Sequence, residues 1–225
     1  AHMAMSLIGE GRFQSRIGGQ WADSETEAVF SDIGREPVVL EAKEGLSLIN
    51  GTSQMCSYLA EASSLATKLC DAADAACAMS VEAIAGSHTP FDPRIHEIRH
   101  QVGQGRSASR IMGHLKSSEI KESHADCERV QDAYSFRCAP QVHGAVLDVL
   151  DHVTDVVISD ANSATDNPLI VPDGEGGYDV LSGGNFHGEP LALSADSLAS
   201  ALHELCSISE RRSNQVLTPH WSGLP

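Results

Sequence analysis

The chain has 225 residues, long enough to bury a core of its own, and 41% of them are hydrophobic. Thirty-one acidic against 15 basic residues leave a net charge of −16, which argues against nucleic acid and anionic membrane as partners, because phosphate binding needs concentrated Lys and Arg. No stretch approaches the roughly 20 apolar residues that span a bilayer, no secretory signal pattern opens the chain, and the six cysteines have neither a C-x-x-C nor a paired rhythm; a cytoplasmic protein with reduced thiols is expected.

Residues 1–10 start abruptly in an apolar run with no cap, so the chain is expected to be cut here, with a cloning remnant at Ala1-His2-Met3 as the competing explanation. Glycines 9, 11, 18 and 19 around Phe13, Ile17 and Trp21 predict a small hairpin or irregular excursion. Gly9-x-Gly11 is no dinucleotide loop, since no third glycine follows at the required spacing. A short helix is expected from Glu25 to Ile33, stopped at Gly34-Arg35-Glu36-Pro37. Between Lys43 and Ala85, Leu46, Ile49, Leu59, Leu65, Leu69, Ala73, Ala76 and Val81 recur mostly at three- and four-residue steps amid alanines, which predicts a core helix of a bundle, broken at Gly51. Gly86 to Pro93 ends it. His96 and His100 stand four apart, a metal-like spacing, but no acidic or thiol ligand is placed with them; solvated or capping histidines are expected, and no metal. Residues 105–116 predict a short amphipathic helix and 117–130 a polar loop.

That loop leads into Gln131-Asp132-Ala133-Tyr134-Ser135-Phe136-Arg137-Cys138-Ala139-Pro140-Gln141. Here an amide, a phenol and a guanidinium (Gln131, Tyr134, Arg137) recur every third residue, so in a turn or helical end all three point the same way and form a polar pocket wall. An ordinary interface pair of Tyr134 with Arg137 is the plainer alternative. Pro140 suits the first turn of a helix whose stripe runs from Val142 through Val146, Val149, Leu150, Val153 and Val157 to about Ala164. Thr165-Asp166-Asn167-Pro168 breaks it, and Asp173 to Gly177 is a tight turn between 169–171 and 178–181. Ser182-Gly183-Gly184-Asn185-Phe186-His187-Gly188-Glu189-Pro190 is a loop that feeds a long helix marked by Leu191, Ala195, Leu198, Leu202, Leu205 and Ile208, on which Glu204 and 210–212 are expected to make intersubunit or surface ion pairs. The fold class that follows is mainly α, with long packed helices, two small β excursions, no internal domain boundary over 1–225, and truncation expected at both ends.

Seven blocks, Ala1 to Gly11, Glu36 to Leu46, Leu48-Ile49-Asn50-Gly51-Thr52, Arg129 to Cys138, Asn162 to Leu169, Ser182 to Pro190 and Ile208 to Arg212, resemble in order the aromatic amino acid lyase family. The resemblance implies a long-helix bundle of the fumarase/aspartase-like type and a homotetramer whose sites draw on three subunits. It also implies the non-oxidative elimination of ammonia from a small-molecule amino acid. Its electrophile, a methylidene-imidazolone (MIO), forms in the family from an Ala-Ser-Gly that in relatives lies just ahead of the segment matching Ala1. By position in the motifs, Arg137 would pair with the substrate carboxylate. Asn50 would hydrogen-bond near that carboxylate or the MIO carbonyl, although before Gly51 it serves equally as part of a helix break. Tyr134 would lie close to MIO, Gln131 would contact the ammonium region, and Phe186 would shape the pocket beside the ring. Val130-Gln131-Asp132-Ala133-Tyr134 resembles the histidine branch, which gives urocanate, and Asn185-Phe186-His187-Gly188 resembles the histidine and bacterial tyrosine branches. The alternatives are tyrosine or phenylalanine elimination, an aminomutase, or a non-catalytic assembly subunit.

Overall fold

The computed structural model describes residues 1–17, 19–123 and 130–225, with the side chains of Phe13, Ile17 and Ser123 left aside. Residues 124–129 of the expected 117–130 loop, Cys127 and Arg129 among them, lie outside the described residues. The chain is mainly α, as its helical periodicities require, and its contacts divide it into two compact units.

The first unit comprises 1–53 and 164–188. After α1 (His2–Leu7), strands β1 (Arg12–Ile17) and β2 (Gln20–Glu25) pair antiparallel from Arg12↔Glu25 to Ile17↔Gln20, the predicted hairpin. α2 (Thr26–Asp32) follows at once; the buried Thr26 hydroxyl reaches back to the Gly11 carbonyl at 2.7 Å and fixes the hairpin's base. α3 (Glu44–Ser47) stops before Gly51, whose φ of +105° is left-handed. A Cβ at Gly51 would stand 2.5 Å from the Thr165 carbonyl oxygen, so glycine is what lets the two segments approach. β3 (Leu169–Pro172) and β4 (Tyr178–Leu181) form the second hairpin, whose turn is closed by Asp173 Oδ1 accepting the amides of Glu175 and Gly177 at 2.8 and 2.9 Å.

The second unit, 54–163 and 189–225, holds the long helices. α4 (Ser53–Ala83) buries Cys56, Leu59, Ser63, Ala66, Cys70, Asp74, Cys77 and Val81, one stripe at three- and four-residue steps. A 3-10 turn at Thr89–Phe91 and α5 (Pro93–Glu97) lead into α6 (Val102–Leu115), which starts three residues before the expected 105. α7 (Glu119–Ser123) lies in the stretch read as loop, and α8 (Tyr134–Arg137), α9 (Ala139–Ala161), α10 (Glu189–Leu217) and α11 (Pro219–Ser222) complete the unit. α4, α9 and α10 share a core of Leu59, Ala66, Leu147, Leu150, Val153, Leu191, Leu198 and Leu205, in which each buried leucine contributes roughly 1.5–3 kcal/mol. A second cluster joins Val81, Phe91, Ile111, Leu115 and Phe136. α6 crosses α9 at backbone contact: a Cβ on Gly103 would meet the Gly144 carbonyl at 2.1 Å, and one on Gly144 the Gln104 amide at 2.2 Å.

His96 and His100 do not share a helix. His96 lies on α5, 4% exposed, between the Pro90 carbonyl at 3.1 Å and the Gln104 side chain at 2.9 Å, while His100 follows the helix with φ +60°. The expected solvated or capping role therefore fails for His96, which is a buried bridge. Arg212, expected in an intersubunit or surface ion pair, is likewise 3% exposed, whereas Glu210 and Arg211 do pair at the surface. Cys56, Cys70 and Cys77 are buried free thiols, and burial pushes Cys77 up to about 11.

Candidate functional site

The five residues singled out from the sequence fall in both units: Asn50 and Phe186 in the first, Gln131, Tyr134 and Arg137 in the second. In the second unit the one-turn helix α8 sets Tyr134 and Arg137 three residues apart on one face, and the Arg137 guanidinium carbon stands 4.5 Å from the centre of the Tyr134 ring. Gln131 precedes α8 rather than extending its face, so the three-residue rhythm holds for the phenol and the guanidinium alone. It still meets both: it lines one cavity of about 500 Å³ with Arg137, Asp132, Pro90 and Gln141, and another of about 550 Å³ with Tyr134, Phe136 and Trp221. Asp132 steadies the approach to α8 by accepting the Ser87 amide at 2.7 Å.

Arg137 Nε and Gln141 Oε1, both shielded from solvent in the first of these cavities, have no hydrogen-bond partner among the described residues. A buried polar atom left unpaired costs about 1–3 kcal/mol, a cost that a group hydrogen-bonded to these two atoms would relieve. A guanidinium offers a carboxylate a planar fork of donors. Gln141 was not singled out from sequence; its signal was its position one turn beyond Arg137 at the end of the same motif.

In the first unit the sequence blocks knot around Asp166. Asn50 Nδ2 donates to Asp166 Oδ1 at 3.0 Å, Ser47 Oγ donates to Oδ2 at 2.9 Å, Lys43 Nζ pairs with Oδ2, and the Asn167 amide donates to Oδ1 at 2.7 Å. The Lys43 contact first, then the Asn50 amide, hold the Asp166 carboxyl well below the usual carboxylate range. Asn167 Oδ1 in turn accepts the Gly183 amide at 2.7 Å, and Asn185 Nδ2 donates to the Ala164 carbonyl at 3.1 Å, which ties the loop bearing Phe186 to the same knot. Phe186 itself is 42% exposed. Neither Lys43 nor Asp166 was singled out from sequence as a site residue, although both lie in blocks that carried the resemblance. One N–H of the Asn50 amide is committed to Asp166, which fixes the plane of that amide and aims the other.

A sequence model of the family described as aromatic amino acid lyase matches residues 1–225. The chain is 48% identical over 221 residues to a histidine ammonia-lyase of Sorangium cellulosum, covering 97% of this chain and 42% of that protein, and 45% identical to one of Bos taurus, covering all of this chain and 34% of that protein. The chain thus spans less than half the length of these curated relatives. Among solved structures it is similar to a histidine ammonia-lyase from Trypanosoma cruzi (41% identity, TM-score 0.86, all of this chain and 41% of that one). It is also similar to a phenylalanine ammonia lyase from Rhodosporidium toruloides (28% identity, TM-score 0.90, all of this chain and 34% of that one).

Proposed function

Because the chain belongs to the aromatic amino acid lyase family, we propose that it works, as part of a longer lyase subunit, in the non-oxidative elimination of ammonia from L-histidine to trans-urocanate. The C–N bond to the α-amine breaks, a β-proton leaves as the double bond forms, and ammonium is released. The observation that carries this reading is the Arg137 guanidinium, stacked on Tyr134, with an unpartnered Nε in a cavity it shares with Gln131.

Arg137 takes the substrate carboxylate, the one anionic group common to substrate and product, and anchors it by charge-assisted hydrogen bonds. Gln131 faces the ammonium region, and Phe186 bounds the imidazole. MIO, which would come from an Ala-Ser-Gly that these 225 residues lack, supplies the electrophile that makes the amine a competent leaving group. The residues present suit such a group: Tyr134 offers a phenol 70% exposed, and Asn50 keeps one amide N–H beyond the one held by Asp166. The same reading includes a cytoplasmic homotetramer. It is supported by apolar side chains on α4 that the described residues leave exposed, Tyr58 at 65%, Leu65 at 57% and Met79 at 73%. Phenylalanine or tyrosine as substrate is the second reading, favoured by the TM-score of 0.90 to the phenylalanine enzyme, against 45–48% identity to histidine enzymes.

The test is urocanate absorbance from histidine with the full-length enzyme and its Arg137→Ala variant, alongside phenylalanine and tyrosine. Activity on histidine that falls by about 2–5 kcal/mol of transition-state stabilisation in the variant is expected. Turnover of phenylalanine or tyrosine instead sinks the substrate and keeps the reaction class; an active Arg137→Ala enzyme sinks the clamp.

A further inference from the structure

Each long helix of the second unit contributes one buried polar residue to a single cluster: Asp74 from α4, Ser107 from α6, His143 from α9 and Arg212 from α10. All four are 3% exposed or less. Asp74 Oδ1 accepts the Ser107 hydroxyl at 2.6 Å and His143 Nδ1–H at 2.7 Å, and its second oxygen faces Arg110 Nε at 3.0 Å. His143 Nε2 lies 3.0 Å from Arg212 Nη2. Arg212 can only donate, so His143 Nε2 accepts and the ring is neutral. Burial, the largest influence on it, pushes the imidazole below its ordinary value and favours the same state.

From His143 the chain of bonds continues to α8. Arg212 Nε donates to the Ser135 carbonyl at 2.9 Å. Ser135 lies inside α8, between Tyr134 and Arg137; the Cys138 amide meets the Tyr134 carbonyl at 2.9 Å, while the Ser135 carbonyl takes the Arg212 side chain. A buried guanidinium is a costly way to satisfy one carbonyl. It is an effective way to fix the height and rotation of a single turn, because its own orientation is set by a histidine that is itself locked by an aspartate on another helix.

We propose that Arg212 is a positioning residue: through the Ser135 carbonyl it holds α8 so that Arg137 meets the substrate carboxylate, with His143 and Asp74 locking Arg212 in turn. This rests on the reading of Arg137 as the carboxylate clamp. Ligands that use the clamp should therefore suffer from changes at Arg212, and ligands that do not should be spared.

The experiment uses full-length enzyme, wild type against Arg212→Gln and Arg212→Lys. It measures kcat and KM for histidine, and the inhibition constants of urocanate, which carries the carboxylate, and imidazole, which does not. Expected for Arg212→Gln is a loss of kcat/KM of about 100-fold, the scale of a misplacement of about 1 Å, together with a matching rise in the urocanate constant and an unchanged imidazole constant. Arg212→Lys, which keeps one donor, should recover part of the loss. Equal weakening of both inhibitors, or wild-type constants in both variants, overturns the proposal, as does loss of soluble protein in both, which would assign Arg212 to stability alone. A wild-type enzyme inert toward histidine, phenylalanine and tyrosine overturns the clamp reading and this proposal with it; an active wild type with an unaltered Arg212→Gln overturns this proposal only.

Discussion

Each compact unit is organised by one aspartate, and the two sit in opposite surroundings. Asp74, 1% exposed, gathers Ser107, His143 and Arg110 from two other helices in a medium where charges interact strongly and unpaired groups are expensive. Asp166, whose side chain is 22% exposed, gathers Lys43, Ser47 and Asn50 from one short segment where water can replace any partner that leaves. The contrast separates two uses of a carboxylate. In the core it joins helices and its loss strands a charge; at the rim it aims a single amide, and its loss frees that amide to turn.

The sharpest way to break the contrast is to remove both carboxylates. Asp74→Ala, which leaves Arg110 and His143 short of a buried partner, is expected to cost about 3–5 kcal/mol of stability in denaturant unfolding of the full-length protein. Asp166→Ala is expected to cost far less, and to appear instead as reduced turnover with little change in melting temperature, because Asn50 loses its orienting bond. Equal losses of stability in the two variants would erase the distinction. Next in size is the α6–α9 crossing that brings Ser107 and His143 to Asp74. Gly144→Ala pushes a methyl into the backbone at Gln104 and should destabilise by about 1–3 kcal/mol. Gly105→Ala, on the same α6 but with nothing within 4 Å of the new methyl, is its control and should be neutral or stabilising by up to about 1 kcal/mol. Comparable melting for the two alanine variants would show that the crossing tolerates separation.

The same contrast governs how much could be read from sequence. Periodicity placed α4, α9 and α10, and turn chemistry at Asp173-Gly174-Glu175-Gly176-Gly177 placed the second hairpin, because those signals are local; the buried face of α4 was only partly read, since Leu59 and Val81 are buried but Leu65 and Leu69 are exposed and Ala66 and Cys70 take their place. Asn50 and Arg137 were reached through their motifs, and the structure puts Tyr134 against Arg137. The Asp74 network was not reached. Its members are far apart in the chain and each looks like a lone polar residue on an apolar stripe; Arg212 was grouped with its charged neighbours Glu210 and Arg211 as an intersubunit or surface ion pair. The available signal was spacing, since Leu198, Leu205 and Arg212 follow one another at seven residues on one face of α10. His96 was misjudged for the same reason, as its partner Gln104 lies on another helix.

The smallest expected effect concerns pH, and it separates the two units by where they titrate. His143 faces Asp74, Arg212 and Arg110, and burial, the first of its causes, holds its folded value below the ordinary 6.5. Below about 6.5 the unfolded chain therefore binds a proton that the folded chain refuses. Stability falls as pH drops through that window and is independent of this group above it. Asp166 is shifted down from 3.8, so its contribution is intact throughout that window and is lost only in stronger acid, as pH falls toward its folded value. Between about pH 4 and 6.5 the pH slope of unfolding thus belongs to the second unit, and His143→Gln should flatten it relative to wild type while Lys43→Ala leaves it unchanged. His96, also lowered by burial, titrates in the same range. A slope undiminished in His143→Gln but removed in His96→Gln would move the pH sensitivity out of the Asp74 network and onto the α5–α6 bridge.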